Sequence, residues 1–189
     1  MHWSIAGFVA GAGGAWLLRR LRRGADVHWL WCAVPTALLW TVAALRHPPP
    51  HWLALTLALA WVGVLLTATD LRHRRLPDAL TLPAYPVAAV LLATAGTEVA
   101  VRALVGGLTF GLGHLAVRLA APLALGGGDV KLAVPLGAVL GAVSYAALPL
   151  GVLLASAFTL VVALTRPRGG IPHGPGLLAA TWLLAVFSL

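Results

Sequence analysis

Acidic residues are scarce in this chain: Asp26, Asp70, Asp78, Glu98 and Asp129 are all it has in 189 residues. Charged residues of both signs reach only 10%, where a soluble domain carries roughly a quarter. Hydrophobic residues make up 60% and the mean hydropathy is +0.94, which excludes an ordinary soluble globular fold. Cysteine is almost absent. Cys32 alone builds neither an internal disulfide nor a cysteine-based zinc site, and its place in an apolar run reads as packing. No internal repeat, linker or low-complexity segment breaks the chain. A single integral membrane domain over residues 1–189 is therefore expected, with no metal and no cofactor.

The formal charge of +8 raises nucleic acid as a partner, but no nucleic-acid-binding motif accompanies it. The arginines instead fall in short clusters between apolar runs, as topology determinants do. Membrane lipid, not nucleic acid, is the expected surroundings.

Apolar runs lie at about Ser4–Leu18, Trp29–Leu45, Trp52–Thr69, Leu80–Thr94, Val99–Leu119, Leu132–Leu148, Leu150–Thr165 and Leu177–Leu189. Several fall short of the ~20 residues that a full span prefers. The expectation is an all-α, polytopic transmembrane bundle of about eight spans, or six to seven if a terminal run lies in the interface. No basic region precedes the first run, and its arginines follow it. That order predicts a retained first span with its N-terminus outside rather than a cleaved signal peptide.

Charge tests this orientation. With the N-terminus outside, the loops at 19–28, 70–79, 119–131 and 166–176 face the cytoplasm. Arg19, Arg20, Arg22, Arg23, Arg72, Arg74, Arg75, Arg118, Lys131, Arg166 and Arg168 then lie inside or at that boundary, leaving only Arg46 and Arg102 outside. Such an excess of basic residues on one side is what the positive-inside rule requires, and the reverse orientation fails it. On the outer side, Arg46-His47-Pro48-Pro49-Pro50-His51 cannot continue a helix. Ala95-Gly96-Thr97-Glu98 and a break near Pro149 do similar work. Trp3, Trp16, Trp29 and Trp52 fall near span ends, where interfacial aromatics gather. Trp40, Trp61 and Trp182 do not, and read as lipid-facing or packing residues. Small residues at Gly7…Gly11 and Gly107…Gly111 let helix backbones approach closely in lipid.

Topology brings two carboxylates to one depth. Asp70 closes the third run in Thr69-Asp70-Leu71-Arg72-His73-Arg74-Arg75-Leu76-Pro77-Asp78, and Asp129 opens the sixth in Gly126-Gly127-Gly128-Asp129-Val130-Lys131. Carboxylates that come within a few ångströms do not both ionise, so one keeps a proton. The ionised member can take a proton from a water attacking a peptide carbonyl, and the protonated one can donate where charge develops. Gly126, Gly127 and Gly128 are open to backbone angles closed to other residues and let an extended substrate approach. Lys131 either holds Asp129 ionised or snorkels to the headgroups. Pro77 is expected to break the helix after Asp70, leaving Asp78 to turn toward the site or, the favoured reading, to cap the next helix. A proton or ion pathway and plain structural placement are the competing readings of the same carboxylates. His2, His28, His47, His51, His73 and His114 show no metal-ligand spacing, and His114 shares a helical face with Arg118.

Residues 70–83 and 126–132 resemble the two signature regions of the type IV prepilin peptidases, bacterial members of the GxGD class of intramembrane aspartyl proteases. Gly170-Ile171-Pro172-His173-Gly174-Pro175 is similar to that family's C-terminal I-P-F-G-P box, with His173 where phenylalanine is usual. The resemblance covers roughly residues 52–189. It implies a peptidase of the bacterial inner membrane with Asp70 and Asp129 as its catalytic pair. The glycine loop, Lys131, Pro77, Asp78, Pro172 and Gly174 would then shape the site. It also implies a prepilin or pseudopilin substrate, cut at the cytoplasmic face after the glycine of a short basic leader. Bifunctional members carry a cytoplasmic zinc-binding insertion with paired cysteines; Cys32 stands alone here, so neither that element nor N-methyltransferase activity is expected.

The orientation can be measured. In a Cys32→Ser background, a membrane-impermeant maleimide should label Pro48→Cys in intact cells and Arg75→Cys only after lysis; the opposite pattern would invert the topology.

Overall fold

The computed structural model describes residues 2–122, 125–165 and 172–188. Arg166, Arg168, Gly170 and Ile171, which entered the charge count or the C-terminal box, lie outside the described residues. Within them the chain is all-helical: α1 His2–Arg20, α2 Leu30–Leu45, α3 Pro50–His73, α4 Asp78–Ala93, α5 Thr97–Ala120, α6 Gly127–Val143, α7 Ala147–Thr165 and α8 Gly174–Phe187. α3, α5 and residues Ala147–Leu164 of α7 are long and apolar enough to cross a membrane, and α2, α4 and α8 are shorter apolar helices. This is the make-up of a helical membrane protein, whose backbone polar groups are satisfied within each helix.

Helix ends depart from the apolar runs where polar residues are helical. α3 continues past Asp70 to His73, so Pro77 does not break it. Arg74 ends it by taking a left-handed conformation (φ 53°, ψ 42°), with its amide donating to the Asp70 carbonyl at 2.8 Å. Pro77 instead precedes α4 as its N-cap. α6 starts five residues before its apolar run, because Gly127, Gly128 and Asp129 form its first turn.

α3, α6 and α8 supply the centre, where Leu65, Leu66, Leu132, Leu136, Leu140 and Leu177 are buried in one cluster. Of the three helices long enough to cross a membrane, α3 lies deepest: half of its most apolar stretch is buried, against 28% for α5 and 17% for α7. Four indole N–H groups reach helix carbonyls to tie the bundle to it. Trp52 donates to Ala185 (2.7 Å) and Trp182 back to Thr56 (3.2 Å), crossing between α3 and α8. Trp61 reaches Ala10 on α1 (2.8 Å), and Trp40 of α2 reaches Leu57 (3.0 Å). Trp52 is thus no interfacial anchor; it is 5% exposed and bonded inside the bundle. Cys32 packs in the core.

Glycines set the closest helix contacts. Gly7 and Gly11 of α1 lie against the α2 backbone at Ala37, Cys32 and Ala33. On α5, a Cβ at Gly106 would strike the Gly137 carbonyl and stand 2.7 Å from the Gly141 Cα of α6. Gly113 on the same helix faces nothing within 4 Å. Gly106→Ala should therefore destabilise the protein by about 1–3 kcal/mol through overpacking. Gly113→Ala should stabilise it by roughly 0.5–1 kcal/mol through helix propensity. Unfolding in detergent micelles compares the two, and equal effects would contradict the packing.

Candidate active site

Three helix ends converge. Asp70 comes from the last turn of α3 and is 6% exposed, the one buried acid among the described residues. Asp129 comes from the first turn of α6 and is half-buried. Gly174 opens α8 beside both. A methyl group there would stand 2.9 Å from Oδ2 of Asp70 and 3.4 Å from Oδ1 of Asp129. The two oxygens are therefore no farther apart than those two distances laid end to end. The Gly174 amide also donates to the Asp70 carboxylate. Only glycine leaves the space between the acids open.

The glycine loop does something other than expected. Gly126 is extended (φ −69°, ψ 148°), and Gly127 and Gly128 are helical, so none uses angles reserved for glycine. Close approach is what excludes a side chain. A Cβ at Gly128 would meet Leu76 at 3.0 Å, and one at Gly126 would stand 3.0 Å from the Asp129 carboxylate. The Gly126 amide donates to Asp129 Oδ2 at 3.2 Å. Gly127 faces the Arg118 guanidinium, which itself donates to the Leu125 carbonyl at 2.6 Å and braces the loop.

Lys131 neither holds Asp129 nor simply snorkels. Its ammonium pairs with Asp78 at 2.9 Å, linking the start of α4 to α6, and Tyr85 donates to the Lys131 carbonyl at 2.6 Å. Asp78 is the first residue of α4 and makes no side-chain cap; its carboxylate serves this ion pair instead. Both ends are about half exposed, so the pair orients α4 more than it stabilises the fold. Pro77 is buried behind it, and Pro172 is half-buried two residues ahead of Gly174.

His173 joins the site, which sequence reasoning left without a role. Its Nδ1 lies 2.9 Å from the Thr159 hydroxyl of α7, and its ring centroid 6.5 Å from that of His114 on α5. Burial pushes its imidazole below the usual histidine range, with the nearby charge of Asp129 opposing. The signal was available in sequence: a polar ring directly before Gly174 in the C-terminal box. No three His, Cys, Asp or Glu side chains among the described residues cluster closely enough to hold a metal ion.

Residues 57–164 match the model of the type IV leader peptidase family. The chain belongs to that family. The matched segment takes in both aspartates and ends short of α8. Two relatives, each named prepilin leader peptidase/N-methyltransferase, come from Aeromonas salmonicida (strain A449) and from Aeromonas salmonicida. Each is 34% identical over 160 residues, covering 78% of this chain and 54% of the relative. The chain thus spans about half the length of the curated relatives it matches. No solved structure gives a significant match.

The space at Gly174 is open to test. Gly174→Ala should cost about 1–3 kcal/mol in detergent unfolding, because its methyl presses on the carboxylates. Part of that loss should disappear in an Asp70→Ala background, which vacates the room. Strictly additive effects would show that the methyl finds space elsewhere.

Proposed function

We propose that the chain is a membrane aspartyl endopeptidase that removes the short basic leader of a prepilin or pseudopilin-like protein. The observation that carries this reading is the pair of carboxylates, delivered by separate helices, that both approach Gly174. Family membership and the printed names of the relatives support the substrate class. A single multi-pass domain of about eight spans, with its N-terminus outside, would sit in the bacterial inner membrane. The charge distribution supports placing the aspartates toward the cytoplasm.

In the reaction, a water between the acids gives one proton to the ionised carboxylate as its oxygen bonds to the scissile carbonyl carbon. The protonated carboxyl donates to the carbonyl oxygen, which would otherwise carry the charge. Collapse of the tetrahedral intermediate breaks the C–N bond, and the leaving amine takes a proton from the dyad. The substrate's apolar helix would lie in the bilayer and present its leader junction at this depth. A glycine before the cut suits the narrow space beside Gly126–Gly128 and Gly174. Arg19, which would repel a basic leader, is already paired with Asp26 at 3.0 Å.

Purified protein mixed with a prepilin-like peptide should cleave it after the leader glycine, and Asp70→Ala and Asp129→Ala should each reduce the rate by at least ~10³-fold. Cleavage retained by either variant rejects the dyad. Proton flux in liposomes that needs the same residues, without proteolysis, would replace the peptidase reading by a transport one.

A further inference from the structure

Two histidines, His173 and His114, act on Asp129 electrostatically, and the hydrogen bonds assign their tautomers. The Thr159 hydroxyl donates to the Ala155 carbonyl at 2.8 Å and lies 2.9 Å from His173 Nδ1. A hydroxyl has one proton, already engaged with the carbonyl, so Nδ1 must carry the hydrogen and donate it. His173 Nε2 then remains to gain a proton. His114 is held the same way: its Nδ1 lies 2.8 Å from the Phe110 carbonyl, which can only accept. Both imidazoles interact electrostatically with Asp129, whereas among the described residues the charges acting on Asp70 are those of Asp129 and Arg74.

Helix ends bias the pair in the same sense. Asp129 is the third residue of α6, where exposed amides favour a negative charge, and the Gly126 amide adds a hydrogen bond. Asp70 lies in the last turn of α3, where exposed carbonyls oppose one. The Gly174 amide and Arg74 pull the other way at Asp70. Against them stand two imidazoles and a helix N-terminus at Asp129.

On the footing that these residues are the peptidase dyad, we propose a division of labour. Asp129 is the ionised member that takes the water proton, Asp70 is the protonated donor, and His173 is the positioning residue that maintains this by becoming an imidazolium beside Asp129. Among the described residues, the titratable groups around His173 are Asp129 from α6 and His114 from α5, with Asp70 of α3 beside Gly174; α7 offers the uncharged Thr159. Burial lowers the His173 midpoint and Asp129 raises it again, so the ring is neutral at high pH and charges as pH falls. An imidazolium formed there favours the charged form of Asp129, and so extends dyad ionisation toward acid.

The test follows kcat and KM against pH for the full chain in lipid nanodiscs with a prepilin-like peptide. His173→Phe should move the acid limb of the kcat profile up by about one pH unit, roughly a tenfold loss on that side, with KM unchanged. Thr159→Val, which removes the acceptor of Nδ1–H, should move it the same way by less. An unmoved limb, or an equal loss at every pH, overturns the proposal. Nitrogen NMR of histidine-labelled protein gives a readout independent of cleavage, and serves equally if His173→Phe does not fold. There Asp129→Asn should lower the His173 midpoint more than Asp70→Asn does, and an unmoved midpoint overturns the pairing. Wild-type protein that never cleaves, with the midpoint shift intact, would defeat the peptidase reading while leaving the Asp129–His173 pairing in place.

Discussion

In lipid no water satisfies a stray polar group, and every tie between helices must be made from groups the helices already own. The indole bonds to α3 are that tie. A helix carbonyl has a second lone pair beyond its bond within the helix, and Trp40, Trp52, Trp61 and Trp182 each use one. Because Trp52 and Trp182 cross in opposite directions, α3 and α8 are fixed against both sliding and rotation. Asp70 at the end of one helix thereby keeps its place against Gly174 at the start of the other.

The second constraint is the glycine seam between α5 and α6. Gly106, Gly137 and Gly141 bring these backbones together with no side chain between them, and α6 carries Asp129. Arg118, near the end of α5, then holds the loop that leads into α6. The two carboxylates meet because each helix end is braced by a neighbour that is itself closely packed. Lys131 and Asp78 complete the frame on the α4 side without entering it.

Much of this was legible in the sequence, for identifiable reasons. The apolar runs gave the number and order of helices because hydropathy is the property lipid selects for. The scarcity of acids singled out Asp70 and Asp129. Polar residues inside helices misled the reading of ends: Leu71, Arg72 and His73 extend α3, and Gly127 to Asp129 begin α6. The glycine loop was read as needing unusual backbone angles, whereas it needs proximity to Leu76 and to Asp129. Proximity across helices has no local signature. The partner of Lys131, the inward-facing Trp52 and the bond from His173 to Thr159 escaped for the same reason.

The shorter helices carry one more consequence. α2, α4 and α8 have 16, 16 and 14 residues. At 1.5 Å per residue they reach only about 21–24 Å, less than the roughly 30 Å of bilayer hydrocarbon. Where they span the bilayer, lipid beside them would thin, or water would come down to meet their ends. Since α8 begins at the aspartates and α4 begins at the ion pair that frames them, the dip in the membrane would fall over the site, hydrating chemistry that an undistorted bilayer would keep dry.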